Sequence, residues 1–254
     1  MKIACIHSET DIALRRFSLL KKRQQLVTPE HADHIVVLGG DGFMLHSLHE
    51  YGHLGKPFYG MNCGTFGFLM NDFSEDDIKK RLKHTKTEVL HPLTMKATLH
   101  TGETATGVAF NEVSLFRRTR QTANIAVIVN GVERISKLVC DGALVATPAG
   151  STAYNFSAHG PIIPIGSNVL ALTPVSPFRP RRWNGALLPH TATIRFVNLD
   201  PDKRPVYVSA DFKECPDVIS VDIKEDRSKE VHLLFDQYHS LDDRIFNEQF
   251  TYGE

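Results

Sequence analysis

The apolar positions of the first 93 residues predict strands that alternate with helices. Residues 35–38 form an unbroken, mostly β-branched apolar run, as in a central parallel strand covered on both faces. Apolar runs at residues 2–6 and 57–62 predict further strands, and residues 11–25 and 43–54 have helical spacing. Such alternation favours an α/β domain with a parallel, Rossmann-like sheet.

A helix is also predicted after residue 74, because Ser74 and Asp77 resemble a capping box and the apolar spacing continues to about His84. At the other end of the chain, residues 240–250 again combine a capping box with helical apolar spacing. We expect this C-terminal helix to return to the N-terminal domain, which would then consist of residues 1–93 and about 236–254.

From residue 94 the pattern changes to short strands separated by turn signals, which predicts a β-rich C-terminal domain over residues 94–235. The strongest local signal is Asn130-Gly131, which predicts a tight hairpin between residues 125–129 and 132–135. Residues 138–147 resemble a strand pair broken at Asp141-Gly142. The remaining predicted strands are residues 95–100, 107–116, 192–197, 206–210, 218–223 and 231–235.

Composition narrows the classes of partner. The 254 residues contain 29 Lys+Arg and 29 Asp+Glu, so no general electrostatic attraction to nucleic acid or to an anionic membrane is expected. No apolar run approaches the roughly 18 residues that span a bilayer, and the first residues turn polar quickly, so we expect a cytoplasmic protein. The four cysteines are scattered and are interpreted as reduced thiols. A small, specific ligand is the favoured partner.

The first candidate site is the run Gly39-Gly40-Asp41-Gly42, which follows the central strand directly. Glycines let a ligand approach the main chain, and a helix start at the same place favours an anion. The alternative is a tight turn in which Asp41 only caps the next helix. The redox dinucleotide pattern G-x-G-x-x-G fails because Leu45 stands at the third glycine position, and no P-loop motif exists.

The second candidate is Asn111-Glu112, a polar pair inside the apolar strand 108–116. Alternation along a strand turns at least one of the two side chains towards the interior, where it needs a ligand or an internal hydrogen bond. The sequence leaves both alternatives open.

The third candidate is the stretch 141–157, in which a strand runs into Pro148 and Gly150 and then into a cluster of polar side chains. Its hydroxyls, amide and aromatic ring suit a sugar and a base. These side chains are Thr147, Ser151, Thr152, Tyr154, Asn155 and Ser157.

Two further groups of residues, three histidines and three arginines, are weaker candidates for a site. His46, His49 and His53 share one helix face but lack accompanying carboxylates or cysteines, so a solvated face is favoured over a metal site, and no protein-bound metal is expected. Three arginines at positions 179, 181 and 182 could meet phosphates or simply face solvent.

Taken together and in order, four motifs resemble those of the NAD kinase family. They are Gly-Gly-Asp-Gly at 39–42, Asn-x-Gly-x-x-Gly-Phe at 62–68, Asn-Glu at 111–112, and Asp-Gly at 141–142 followed by Thr-Pro-x-Gly-Ser-Thr-Ala-Tyr at 147–154. The resemblance covers residues 1 to about 240. It implies a fold of the 6-phosphofructokinase and diacylglycerol kinase type, and transfer of the γ-phosphoryl of ATP to the 2′-hydroxyl of the adenosine ribose of NAD.

The resemblance also implies roles for individual residues. Asp41 matches the catalytic aspartate that hydrogen-bonds the attacking hydroxyl. Asn111 and Glu112 match residues that bind the adenine and adenosine ribose. The remaining NAD-binding positions are Phe68 as an aromatic wall, Thr152, Ala153 and Tyr154 on the adenine side, Asp141 and Ser157 towards nicotinamide, and Asp211 near the substrate phosphates. The glycines that would cradle the donor phosphates are Gly39, Gly40, Gly42, Gly64 and Gly67.

By the same resemblance, Mg²⁺ or another divalent cation accompanies ATP, and the enzyme is a homodimer or homotetramer. Three positions depart from the family pattern: Phe43 and Ala149 replace hydroxyl residues, and the loop 174–182 is only loosely similar. Two other functions stay open, namely a sugar or lipid kinase of the same fold and a non-catalytic dinucleotide sensor.

Overall fold

The computed structural model describes residues 1–64 and 67–237, which form two compact units. The first unit comprises Met1–Leu90, Pro164–Gly166 and the described chain from Glu230 onward; the second comprises His91–Ile163 and Ser167–Lys229. In chain order the strands are β1 (Ile3–His7), β2 (His34–Gly39), β3 (Phe58–Asn62), β4 (Thr85–Leu90), β5 (Leu93–Leu99), β6 (Thr104–Ala109), β7 (Glu112–Arg117), β8 (Ala123–Val129), β9 (Val132–Cys140), β10 (Gly142–Ala146), β11 (Val169–Val175), β12 (Ala186–Pro189), β13 (Thr193–Asn198), β14 (Val206–Ala210), β15 (Lys213–Cys215), β16 (Val218–Glu225) and β17 (Val231–Asp236). The α-helices are α1 (Asp11–Arg23), α2 (Asp41–Tyr51), α3 (Ile78–Leu82) and α4 (Tyr154–Ser157).

The first unit contains one five-stranded sheet in the order β1-β2-β3-β17-β4. The pairs from β1 to β17 are parallel, and β4 pairs antiparallel with β17 at the edge. Ile35, Val36, Val37 and Leu38 of β2 are fully buried, as the unbroken apolar run predicts. The predicted parallel sheet of an α/β domain is confirmed.

Two strands of this sheet differ from the sequence expectation. Residues 231–235, predicted to lie in the β-rich domain, form β17 between β3 and β4 of the first unit. Strand β4 is absent from the prediction because it is an edge strand, and its polar residues, such as Lys86 and Glu88, carry no apolar run. Strands β4 and β17 pair with each other across more than 130 residues of sequence, and the local apolar pattern does not show such pairing.

The helices of the first unit bury the apolar stripes that the spacing predicts. Helix α1 buries Ala13 and Leu20, and α2 buries Met44 and Leu48. The predicted capping box of the next helix is wrong: the cap of α3 is Asp77, which accepts the amide of Lys79 at 3.0 Å.

The second unit consists of two six-stranded antiparallel sheets, in the orders β12-β11-β10-β7-β14-β15 and β6-β5-β16-β13-β8-β9. Residues of both sheets contribute to one core cluster, for example Val113 and Val145 of the first and Val127 and Phe196 of the second. The predicted β-rich domain is confirmed. So is its hairpin, in which Asn130 (φ 54°) and Gly131 (φ 75°) both adopt left-handed backbone conformations.

Some predicted strands of the second unit are divided differently. The expected strand 107–116 is interrupted at Phe110 and Asn111, which separate β6 from β7. The expected strand pair 138–147 is not a pair, because β9 and β10 belong to different sheets. Strands β11 and β12 are missing from the prediction.

The predicted C-terminal helix at residues 240–250 lies outside the described residues. Across residues 1–64 and 67–237, no helix combines the length and the apolar character needed to cross a membrane.

Candidate functional site

The first glycine turn joins the end of β2 to the start of α2. Gly40 is the N-cap residue, its backbone is extended (φ −117°, ψ −175°), and no side chain caps the helix. The alternative in which Asp41 is the N-cap is therefore wrong, since Asp41 is the first helical residue. A Cβ built on Gly40 or Gly42 would meet no atom within 4 Å, so both glycines face open space.

Gly39 differs from Gly40 and Gly42 in what surrounds it. A Cβ at this position would lie 2.8 Å from the Cβ of Phe43, so the bare backbone makes room for that ring. This contact gives a packing role to Phe43, the residue that departs from the family pattern.

The carboxylate of Asp41 connects the two glycine turns of the first unit. Its Oδ2 accepts the amide of Phe68 at 2.7 Å, and its Oδ1 accepts the amide of Leu69 at 3.0 Å. A Cβ on Gly67 would lie 2.7 Å from the Asp41 Oδ1. A side chain at position 67 would therefore press on the carboxylate of Asp41.

The second turn is anchored at its start by Asn62, whose Oδ1 accepts the amide of Gly64 at 2.9 Å. The amide of Cys63 donates to the carbonyl of Gly39 at 2.7 Å, which ties the turn to the end of β2. Gly64 is exposed and Phe68 is half-buried. Of the predicted site residues in this unit, the structure therefore brings together Asp41, Gly67 and Phe68.

In the second unit, Asn111 and Glu112 lie where β6 ends and β7 begins. The Asn111 Oδ1 and the Glu112 Oε2 are buried, and neither has a hydrogen-bond partner among the described residues. Burial, and secondly the charge of Asp211, raises the pKa of the Glu112 carboxyl to about 8. A buried polar atom without a partner is costly, so the internal hydrogen bond left open by the sequence does not account for these two oxygens.

Asp211 contacts this turn directly. Its carboxylate accepts the amides of Phe110 at 2.8 Å, Asn111 at 3.0 Å and Glu112 at 3.2 Å. The sequence places these residues about 100 positions apart. The structure therefore joins three predicted site residues, Asn111, Glu112 and Asp211, into one cluster.

The polar stretch 147–157 divides into two groups, and the first group is engaged internally. The Thr147 hydroxyl donates to the carbonyl of Phe110 at 2.6 Å, and the Ser151 hydroxyl donates to Pro148 and Ile163. The Asn155 amide donates to Ser151 and Pro161 and accepts from the hydroxyl of Thr173. These three side chains are buried, so their polar groups do not supply the donors and acceptors for a sugar and a base that the sequence suggested.

The second group stays accessible. Thr152 and Ala153 are half-buried, whereas Tyr154 and Ser157 are exposed. The Tyr154 ring stands edge-on to Phe116, with ring centroids 5.5 Å apart. Tyr154 is thus an exposed aromatic ring that is held by an edge-on contact with Phe116.

Gly150 fixes this stretch against the Asn111 turn. A Cβ at Gly150 would lie 2.1 Å from the backbone oxygen of Asn111, so only glycine fits. The amide of Thr147 also donates to that oxygen, at 2.9 Å. The stretch 147–157 and the turn 110–112 are therefore neighbours.

Asp141 lies at the junction of β9 and β10 and pairs with Arg117, whose Nε is 2.6 Å from the Asp141 Oδ1. Sequence reasoning missed Arg117 and Phe116, because nothing local marks the residues that their strand brings opposite Asp141 and Tyr154. Near Ser157 a cavity of about 470 Å³ opens. Its lining consists of Tyr154, Ser157, Ala158, His159, Pro174, Val175, Ser176, Pro177, Trp183 and Asn184.

The remaining candidates form no site of their own. Within the two described ranges, no group of three His, Cys, Asp or Glu side chains is arranged to hold a metal ion. The guanidinium groups of Arg179 and Arg181 lie 5.0 and 5.8 Å from the ring centroid of the exposed Phe178.

Comparison with known proteins shows the family. Residues 10–88 match the ATP-NAD kinase N-terminal domain, and residues 110–209 match the ATP-NAD kinase C-terminal domain. An NAD kinase from Xylella fastidiosa is 51% identical over 250 residues, covering 98% of this chain and 96% of that protein. An NAD kinase from Cereibacter sphaeroides is 50% identical and covers 98% of both.

Solved structures agree in fold. The yeast NADH kinase complexed with NADH superposes with a TM-score of 0.81 at 20% identity, covering 100% of this chain and 89% of that one. An NAD kinase from Archaeoglobus fulgidus in complex with ATP gives a TM-score of 0.77 at 24% identity and covers 100% of both chains. On the two domain matches and the closely similar full-length relatives, the chain belongs to the NAD kinase family.

Proposed function

We propose that the chain performs the reaction of its family through the residues described above. As an ATP-dependent NAD kinase it transfers the γ-phosphoryl group of ATP to the 2′-hydroxyl of the adenosine ribose of NAD, which makes NADP. The observation that carries the assignment of residues is a pair of buried oxygens, Asn111 Oδ1 and Glu112 Oε2, that have no hydrogen-bond partner among the described residues.

The acceptor, NAD, is assigned to the second unit. The hydroxyl and amino groups of adenosine supply the donors that the Asn111 and Glu112 oxygens lack. Thr152, Ala153 and the exposed ring of Tyr154 are assigned to the adenine side. Asp141 and Ser157, which borders the 470 Å³ cavity, are assigned to the nicotinamide half.

The donor phosphates are assigned to the glycine turns of the first unit. Gly40 and Gly42 face open space, and the start of α2 has no side-chain cap, so its backbone amides can point at an anion. Gly64 of the second turn is exposed. Phosphate oxygens bound there would meet backbone donors rather than side chains.

The divalent cation would arrive with ATP. Mg²⁺ keeps several waters and is bound largely by substrate phosphates, so it needs few ligands from the protein. The described residues hold no cluster of three potential metal ligands. When bound, the cation neutralises phosphate charge; the protein residues do the positioning.

Asp41 is the residue that we assign to the chemical step. Two backbone amides fix its carboxylate in one orientation, beside glycines that leave room for a ligand. Phosphoryl transfer depends mainly on alignment and on stabilisation of charge, so the first task of Asp41 is to accept the hydrogen bond of the 2′-hydroxyl and to orient it. The proton of that hydroxyl can then pass to the same carboxylate.

One assay tests the function. The purified protein is incubated with NAD, ATP and Mg²⁺, and NADP is measured with an NADP-specific dehydrogenase. We expect NADP to form only when ATP and NAD are both present. ATP consumption with a sugar or diacylglycerol and none with NAD would support the sugar or lipid kinase instead, and NAD binding without turnover would support the sensor.

Three further expectations stay predictions. We propose a homodimer or homotetramer, and sedimentation equilibrium at several protein concentrations measures the assembly. The cytoplasmic location and the lack of nucleic-acid or membrane partners rest on the sequence composition alone.

A further inference from the structure

Asp211 has an unusual set of contacts for a residue expected to touch substrate. Its Oδ2 accepts the amide of Phe110, and its Oδ1 accepts the amides of both Asn111 and Glu112. Both carboxylate oxygens are therefore engaged by the main chain of the turn 110–112. Asp211 accepts three main-chain amides, one more than Asp41 accepts from Phe68 and Leu69.

The backbone around Asp211 fixes the same arrangement. Its φ of 51° lies in the left-handed region, which Asp and Asn tolerate better than most residues. Its carbonyl accepts the hydroxyl of Ser209 at 2.7 Å, and its amide donates to the carbonyl of Glu112 at 3.1 Å. Since β14 pairs with β7 up to Ala210 and Val113, Asp211 lies immediately beyond the last pair of that ladder.

The turn that Asp211 holds carries the two buried oxygens for which the described part of the chain offers no hydrogen-bond partner. Phe110 and Asn111 interrupt the strand, so no β-ladder fixes them, and the three hydrogen bonds to Asp211 take the place of a ladder on that side. On the other side the amide of Thr147 donates to the carbonyl of Asn111. The orientation of the Asn111 and Glu112 side chains therefore depends on the hydrogen bonds to Asp211 on one side and on the bond from Thr147 on the other.

We propose that Asp211 is a positioning residue of the NAD site, which holds the turn 110–112 so that Asn111 and Glu112 present their oxygens to the adenosine half of NAD. The inference rests on the proposed function of that turn. It differs from the phosphate contact that the family resemblance implies for Asp211.

The arrangement has an electrostatic consequence. Glu112 faces β10, whose residues Gly142–Ala146 carry no titratable side chain, and β14, where Tyr207 pairs opposite Phe116 rather than Glu112. The charge that acts on Glu112 is that of Asp211, which adds to burial in raising the pKa of Glu112 to about 8. Loss of the Asp211 charge should therefore lower the pKa of Glu112 without exposing it.

The test is Asp211→Asn in the full-length protein, with Asp217→Asn as the matched control. Asparagine tolerates the left-handed backbone and keeps one acceptor oxygen, but it loses the charge and the acceptor for the Phe110 amide. Asp217 also has a left-handed backbone (φ 54°), and its carboxylate pairs with the exposed Arg118. The control thus removes an aspartate charge at a similar turn away from Asn111.

We expect Asp211→Asn to raise the KM for NAD about ten-fold and to change kcat less than about two-fold, whereas Asp217→Asn changes neither. In the wild type, kcat/KM for NAD should show an inflection near pH 8, the pKa of Glu112. Glu112→Gln should abolish that inflection, and Asp211→Asn should move it to lower pH. A general loss of folded protein would lower kcat and leave the KM for NAD unchanged.

Two results would overturn the proposal while leaving the enzyme's function intact. One is a normal KM and pH profile in Asp211→Asn; the other is a fall in kcat alone, which would indicate direct contact with the reacting groups. If wild-type protein forms no NADP, the proposed function fails instead. Should Asp211→Asn not fold, amide hydrogen exchange of the wild type decides: slow exchange at residues 110–112 supports the proposal, and exchange at the rate of an unbonded loop refutes it.

Discussion

Two aspartates, Asp41 in the first unit and Asp211 in the second, use their carboxylates in the same way but for different ends. Each accepts backbone amides from a turn far along the chain, at residues 68–69 for Asp41 and 110–112 for Asp211. Asp41, however, lies between glycines that face open space. Asp211 instead lies against a turn in which the buried Asn111 Oδ1 and Glu112 Oε2 have no hydrogen-bond partner among the described residues.

On the two proposed roles, a fixed carboxylate is the functional group in one unit and the support of functional groups in the other. Where the neighbouring backbone is bare, as at Gly40 and Gly42, a ligand can reach the aspartate itself. Where the aspartate bonds three successive amides, it orders the residues that carry those amides. Motif position alone does not separate the two cases, but the contacts do.

Gly67, beside Asp41, and Gly150, beside Asn111, differ in what an added Cβ would contact. A Cβ at Gly67 would press on the end of the Asp41 side chain, at 2.7 Å from Oδ1. A Cβ at Gly150 would press on the main chain of Asn111, at 2.1 Å from its oxygen. A side chain can move aside, whereas the backbone of Asn111 is held by its hydrogen bonds with Thr147 and Asp211.

The largest effect is expected from Gly150→Ala. Because the new methyl group collides with the backbone O, C and Cα of Asn111, we expect the free energy of unfolding to fall by about 3 kcal/mol, at the upper end of overpacking costs. Chemical denaturation measures it. Gly42→Ala, where a Cβ meets nothing within 4 Å, is the control and should unfold as the wild type does. An equal free energy of unfolding in the two variants would mean that the turn 110–112 can shift at little cost.

Asp41→Asn comes next and acts on turnover rather than on folding. Asparagine fills the same space but cannot take up the proton of the 2′-hydroxyl, so we expect kcat to fall about 10²-fold or more while NAD still binds. Steady-state kinetics and calorimetric titration with NAD measure the two quantities. Asp76→Asn, at an exposed site bonded to Ser74, serves as control. Unimpaired turnover of Asp41→Asn would remove Asp41 from the chemical step.

A smaller effect on the same group is expected from Gly67→Ala. The added Cβ forces the Asp41 carboxylate to shift by a few tenths of an ångström, and misplacement of a reacting group is costly, so we expect kcat to fall about ten-fold. The unfolding midpoint should change little, because the displaced atoms are the end of a side chain. A large loss of stability with normal kcat in the remaining folded protein would contradict this distinction.

Asn111→Ala should have the smallest effect of the four. It removes one buried acceptor that we assign to adenosine, and loss of one such hydrogen bond corresponds to about a five-fold higher KM for NAD with kcat unchanged. Kinetics with NAD as the varied substrate measure both constants. An unchanged KM with a lost kcat would exchange the roles of Asn111 and Asp41.

The sequence alone determined the parts of the molecule that depend on local pattern. The apolar run at 35–38 predicted a buried parallel strand, and Asn130-Gly131 predicted the hairpin that the structure contains. The ordered motifs identified the family, because four short patterns at the right spacings are specific even when each alone is not. The buried strand and the hairpin depend on residues only a few positions apart. The periodicity of the side chains and the backbone preferences of the residues therefore predict them directly.

The sequence does not show which polar side chains of the stretch 147–157 stay accessible, because that depends on the assembled fold. Thr147, Ser151 and Asn155 look as available in the sequence as Tyr154, yet their hydrogen bonds are internal. The bond between Asp211 and the turn 110–112 joins residues about 100 positions apart and depends on the register of β7 against β14. Local patterns record burial and periodicity, but not which distant strand supplies a partner, so these contacts appear only when the sheets are assembled.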